Sequence, residues 1–185
     1  LEGDRLDWQD TQRLVQSLAD VAPQGHEPTI RRLEQVLDTA GDSALAVHAA
    51  VSLRALGEKQ GVQRLKRTLN DELRKTPRKR EPALYETRAS LLFAIGEYAE
   101  AADDYEKILE LSDGSAMTRR AHVGLIKCDA RRGRTQSLLK HLKASNMTVA
   151  EIEALAQDDD TLRAELAQDR VRAFLEQLAK DQANR

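Results

Sequence analysis

Aromatic residues are scarce: one Trp, three Tyr and two Phe make up 3% of the 185 residues. A core in this chain must therefore be built from Leu, Ile, Val and Ala rather than from stacked rings. The single cysteine, Cys128, excludes an internal disulfide, so the fold stands without covalent staples, as suits a reducing compartment. No apolar run nears the ~18–20 residues of a membrane span. β-branched residues never alternate with period two over a strand's length, so no sheet is expected. Neither sign of charge dominates, with 29 Lys and Arg against 31 Asp and Glu and a net charge of −2. That balance argues against a general attraction to nucleic acid or to an anionic lipid surface. Nucleic-acid binding and direct membrane insertion are accordingly not expected. The chain opens "LEGDRLDW", without Met and without the apolar stretch of a signal peptide. It reads as a piece of a longer product, either cytoplasmic or a soluble domain of an anchored protein.

What is abundant points to helix. The chain is rich in Leu, Ala and Arg, with Glu and Gln frequent, and is 41% hydrophobic and 32% charged, a mixture that favours helix over strand. Helical signals come in pairs. In "DTQRLVQSLADVA" Leu14, Leu18 and Val21 share one face, with Asp10 or Thr11 as N-cap. Pro28 suits the first turn of a second helix carrying Ile30, Leu33, Val36 and Leu37. Gly41 ends that helix and Asp42 caps the next, "DSALAVHAAVSLRAL", which stops at Gly57. A fourth helix with Val62, Leu65, Leu69 and Leu73 ends before Pro77. "TIRRLEQVL" aligns with "GVQRLKRTL" at an offset of about 32 residues, pairing Ile30 with Val62, Leu33 with Leu65 and Leu37 with Leu69.

Pro82 opens a third pair, "PALYETRASLLFAI" and "EYAEAADDYEKILEL", turning at Gly96, and a fourth turns at Gly133. Ala22, Gly57, Gly96 and Gly133 are spaced by roughly 35, 39 and 37 residues, the period of an α-solenoid. Thr148 and Glu151 form a capping box with Met147 stapled to Ile152. Two short helices follow, with Leu162, Leu166, Val171, Phe174 and Leu178 inward, closing the last apolar face.

Residues 82–113 resemble a tetratricopeptide (TPR) repeat. The matching positions are Tyr85, Ala89, Leu92, Gly96, Tyr98, Ala101, Tyr105, Leu109 and Leu111. Ala89 and Ala101 are small where two helices approach, and Tyr98 and Tyr105, two turns apart, fill the space around the alanines. Residues 119–145 keep Leu125, Gly133 and Leu142 but carry Asp129 and Thr135 where the family has larger apolar groups. Residues 11–73 are similar to degenerate TPR or HEAT hairpins, "SALAVHAAVSLRALGEKQGVQRLKRTL" tilting toward HEAT. The expectation is an all-α, right-handed α-solenoid of antiparallel hairpins spanning 1–185 as one domain. Two degenerate HEAT- or TPR-like hairpins occupy 10–75, two TPR-like hairpins 82–145, and capping helices 147–182.

The resemblance implies a non-catalytic protein-interaction scaffold that holds a peptide or protein partner in a concave groove lined by the first helix of each hairpin. The corresponding positions are Glu86, Ser90 and Phe93, then Val123, Lys127, Ala130 and Arg131. The chaperone-binding members use Lys and Asn where this chain has Glu86 and Ser90, which argues against an acidic C-terminal peptide. An alternative is a regulatory or assembly domain of a larger, membrane-anchored bacterial protein. Weak self-association is a further expectation, through an imperfect terminal cap.

Other motifs favour structural roles. "RKTPRKR", 74–80, lacks interleaved aromatics and reads as a solvated linker, with Arg74 and Lys75 at a helix C-terminus. "QDDD", 157–160, lacks the spaced oxygen ligands and glycine of a calcium loop and fits an N-cap with first-turn acids. His26, His48, His122 and His141 are dispersed without metal-ligand spacing, and Cys128 in "LIKCDA" reads as a small buried hydrophobe. With no Gly-rich phosphate loop and no G-x-S-x-G elbow, no enzyme, cofactor, metal or catalytic residue is expected.

Overall fold

The computed structural model describes residues 17, 22–41, 43–77, 81–112 and 114–183. Among these residues the chain is all-α, with ten helices and no strand. They are α1 (Glu27–Ala40), α2 (Ala44–Ala55), α3 (Gln60–Lys75), α4 (Glu81–Ala94), α5 (Tyr98–Leu111), α6 (Ser115–Arg131), α7 (Thr135–Ala144), α8 (Val149–Ala156), α9 (Asp160–Leu166) and α10 (Asp169–Ala183). The helix expected around Leu14, Leu18 and Val21, its caps Asp10 and Thr11, the proposed cap Asp42 and residues 78–80 of the basic run lie outside the described residues. The chain divides between Ile95 and Gly96 into two compact units, with α1–α4 in unit 1 and α5–α10 in unit 2.

In unit 1, α2 is the central element, packed by α1, α3 and α4. Its sequence, ALAVHAAVSLRA, buries Ala46, Val47, Ala49, Ala50 and Leu53, so several of its sides are apolar, as a helix with several neighbours requires. The aligned triplets do equivalent work: Ile30, Leu33 and Leu37 on α1 and Val62, Leu65 and Leu69 on α3 are all buried in one core. Burying each such side chain contributes about 1.5–3 kcal/mol. Alanine keeps α2 narrow, and Gly61 lets α3 start close beside it. A Cβ on Gly61 would stand 2.8 Å from Leu53 Cδ1. The chain leaves α2 through Gly57, whose φ of 100° is open to glycine and strained for other residues. Two long side chains hold α4. The Arg88 guanidinium donates to Asn70 Oδ1 on α3 at 2.5 Å and lies 5.3 Å from the Tyr85 ring centroid. Arg54 on α2 donates to the Ile95 carbonyl just past the end of α4.

In unit 2, α5 packs along α6 and α6 along α7. Ala101 and Ala102 are buried, and Tyr98 and Tyr105 are half-buried. The Tyr105 ring occupies the space a side chain on Gly124 would need, so a Cβ there would collide with it. α6 turns into α7 at Gly133, with φ of 62°. Ile126, Leu138, Leu142, Met147, Ile152, Leu162, Leu166 and Val171 form one core, with Phe174 and Leu178 packed half-buried against it.

The C-terminal helices are closed by a local capping box and by polar bonds from distant parts of unit 2. Thr148 Oγ1 accepts the Glu151 N–H while Glu151 Oε2 accepts the Thr148 N–H, so the capping box forms. Arg119 on α6 pairs with the same Glu151 at 2.5 Å. The Thr148 N–H, followed by the Arg119 hydrogen bond, holds the Glu151 carboxyl below its ordinary value. The Gln182 side chain donates to the Met147 carbonyl and accepts from the Val149 N–H, tying α10 to the loop before α8.

Candidate functional site

A groove in unit 1 and a buried polar cluster in unit 2 are the candidate sites among the described residues. The first is a groove of about 430 Å³ between α2 and α4 in unit 1. Ala44, Val47, His48 and Val51 line it from α2, and Glu86, Thr87, Ser90 and Ala94 from α4. The α2 residues follow the i, i+3, i+4, i+7 spacing that places them on one helical face. The floor is apolar and the α4 wall is polar. Ser90 Oγ donates to the Glu86 carbonyl at 2.9 Å and Thr87 Oγ1 to the Ala83 carbonyl at 3.1 Å. The wall therefore presents two hydroxyls that also retain acceptor lone pairs, with Glu86 beside them. Burial lowers the pKa of His48 and keeps its imidazole neutral at pH 7.

The groove brings together Glu86 and Ser90, two of the positions implied by the repeat resemblance. Phe93 is half-buried and is not among the lining residues. The positions on α6 belong to unit 2. Val123 packs half-buried against that unit's core, and Ala130 is a member of the core itself. Lys127 is half-buried, and Arg131 donates to Asp159 Oδ1 at 2.6 Å.

Asp159 accounts for the acidic run "QDDD". Its carboxylate also accepts the Leu162 N–H at 3.0 Å, making it the N-cap of α9. Burial raises its pKa. The Leu162 N–H, the Arg131 hydrogen bond and the charges of Arg131 and Lys127 together outweigh that and hold the carboxyl below its ordinary value. No group of three or more His, Cys, Asp or Glu among the described residues has the geometry to hold a metal ion.

The second feature escapes a reading of the sequence. His122 and Asp129 on α6 and His141 on α7 are all more than nine-tenths buried. The two imidazole centroids are 5.7 Å apart with planes tilted by 41°. His141 Nε2 stands 3.9 Å from Asp129 Oδ2, beyond hydrogen-bond reach. His122 Nδ1, His141 Nδ1 and Asp129 Oδ2 are buried without a hydrogen-bond partner, a costly state at about 1–3 kcal/mol per group. A signal did exist. Residues 122 and 129 are two turns apart on one face of α6, and a return through Gly133 carries position 141 back to the level between them. Cys128, next to Asp129, is buried. Burial, with the Asp129 charge, pushes its thiol up to about 12, which removes it as a thiolate nucleophile at neutral pH.

In comparisons with known proteins, no family model, no curated protein and no solved structure matches this chain.

Proposed function

We propose that the chain is a TPR-like α-solenoid that works as a non-catalytic protein-interaction scaffold, with the α2–α4 groove as its docking site. The observation that carries this reading is the placement of α2 and α4, first helices of successive hairpins in the repeat pattern, side by side with an open apolar-floored channel between them. Pre-ordered helices present such a channel without an ordering cost on the receptor side. Ala44, Val51 and Ala94 supply apolar contact, and Thr87 and Ser90 supply register through hydrogen bonds. A partner segment of mixed character fits this lining, with an apolar side chain toward α2 and donors toward α4.

Ser90 is exposed, so Ser90→Arg fills the groove without touching the core. Gln63→Arg, on an exposed position of α3, is the matched control. A partner recovered from the native host and measured against purified variants is expected to bind Ser90→Arg about tenfold or more weakly, a loss of about 1.4 kcal/mol. Binding to the control should be unchanged. Equal affinity for wild type and Ser90→Arg refutes the groove as the docking site.

A further inference from the structure

The His122–Asp129–His141 cluster is a poor way to build a core and a direct way to make one sensitive to protons. We propose that it is an acid-sensitive latch: with both imidazoles neutral it closes the α6–α7 hairpin, and protonation of both opens it. The geometry carries the proposal. Three side chains from two helices meet in a core otherwise lined by Ile126, Leu138 and Leu142, and each retains a buried polar atom without a hydrogen-bond partner.

The charged groups acting on the cluster come from three helices. Asp129 on α6 and Glu106 on α5 favour a proton on His141, and Lys140 on α7 opposes it. His122 is opposed by both His141 and Lys140. A first proton on His141 makes an ion pair with Asp129 across 3.9 Å. A second, on His122, sets two cations at a ring separation of 5.7 Å beside Lys140. Only the first is partly compensated. Burial is the largest influence on either imidazole and lowers both below the ordinary value of 6.5.

Both groups take up protons more readily in the opened chain than in the closed one. Their stabilisation is therefore complete above pH 6.5 and is lost as pH falls through 6.5 toward the folded-state values. Each proton taken up on opening multiplies the opening constant by up to about ten per pH unit, and two protons by up to about a hundred. Opening exposes the apolar faces of α6 and α7.

Two measurements on the intact chain test the latch. Imidazole resonances followed by NMR between pH 8 and 4.5 should show two histidines titrating below 6.5 and influencing one another, with the His122→Gln variant identifying the pair. Both titrating independently at or above 6.5 overturns the proposal. Urea unfolding read from α6 and α7 amide signals should weaken steeply from pH 7 to 5 in wild type. In His122→Gln/His141→Gln the slope should fall by up to about two protons, while His48→Gln leaves the α6–α7 slope intact. An unchanged slope in the double variant also overturns it. If the double variant does not fold, the wild-type titration decides.

Discussion

Among the described residues, unit 1 buries two polar side chains, Thr29 and Ser52, whereas unit 2 buries six: Asp104, His122, Asp129, His141, Ser145 and Asp159. Both units rest on Leu, Ile, Val and Ala, so their apolar contributions rise with buried area in the same way. They differ in what else must be satisfied. Thr29 is met locally, its hydroxyl 2.8 Å from His26 Nδ1. In unit 2, Ser145 donates to the Leu142 carbonyl and accepts the Met147 N–H, and Asp159 is shared between a cap and Arg131. Those groups are settled, while the histidine cluster is not. Volume governs unit 1. One imidazole there, His48, is also shifted by burial, whereas unit 2 adds a cluster of buried titratable groups to its volume.

The sharpest way to separate the two cores is to remove volume from each. Leu53→Ala in unit 1 and Leu142→Ala in unit 2, both essentially inaccessible to solvent, should each cost about 2–5 kcal/mol in urea unfolding. Gly61 lies against Leu53, so adding Gly61→Ala to Leu53→Ala should recover part of the loss by filling the space vacated. No recovery would mean that the α2–α3 approach is not set by that contact.

Next in size is the buried acid of unit 2. Asp159→Ala removes the α9 cap and the Arg131–Asp159 pair, a loss of about 2 kcal/mol at pH 7. The carboxyl sits below its ordinary value of 3.8, so this contribution is complete above that pH. It is lost as pH falls below 3.8, in a window separate from that of the histidines. A wild-type advantage already gone at pH 5 would contradict the assignment.

Smaller effects distinguish the two close-approach glycines. Both gain about 1 kcal/mol of helix propensity on conversion to alanine. At Gly61 the obstacle is the end of one leucine side chain, and the net change should lie near zero. At Gly124 the obstacle is the Tyr105 ring, and overpacking should leave a net cost of about 1–2 kcal/mol. If Gly124→Ala proves stabilising in thermal unfolding, the ring moves aside freely and is not a packing element. Smallest is the exposed cap: Thr148→Ala should cost about 1 kcal/mol in the same assay, with little dependence on the histidine pH range.

Much of this architecture was legible in the residues. Gly57, Gly96 and Gly133 fall at turns between helices, Pro28 and Pro82 fall in first turns, and Leu33, Leu37, Leu65 and Leu69 fall inside. These are local facts, since periodicity gives the buried face and glycine or proline gives the break. The capping box at Thr148 is local as well. What remained hidden is which faces meet. His122 and His141 lie 19 positions apart, and periodicity alone does not say that α6 turns His122 and Asp129 toward α7. Arg131 and Asp159 are joined only because α9 folds back on α6. Of the residues lining the unit 1 groove, Glu86 and Ser90 are among the positions the repeat resemblance implies, whereas His48, Val47 and Val51 enter it only through the packing of α2 beside α4.

Native-state hydrogen exchange of the intact chain at pH 7.5 and 5.5, corrected for intrinsic exchange, tests the contrast between the units most directly. Unit 1 has one imidazole lowered by burial, His48, and unit 2 has two. Acid should therefore reduce protection in α1–α3 by up to about tenfold and in α6–α7 by up to about a hundredfold. Equal losses in both units, or a larger loss in α1–α3, would contradict a proton-linked core in unit 2.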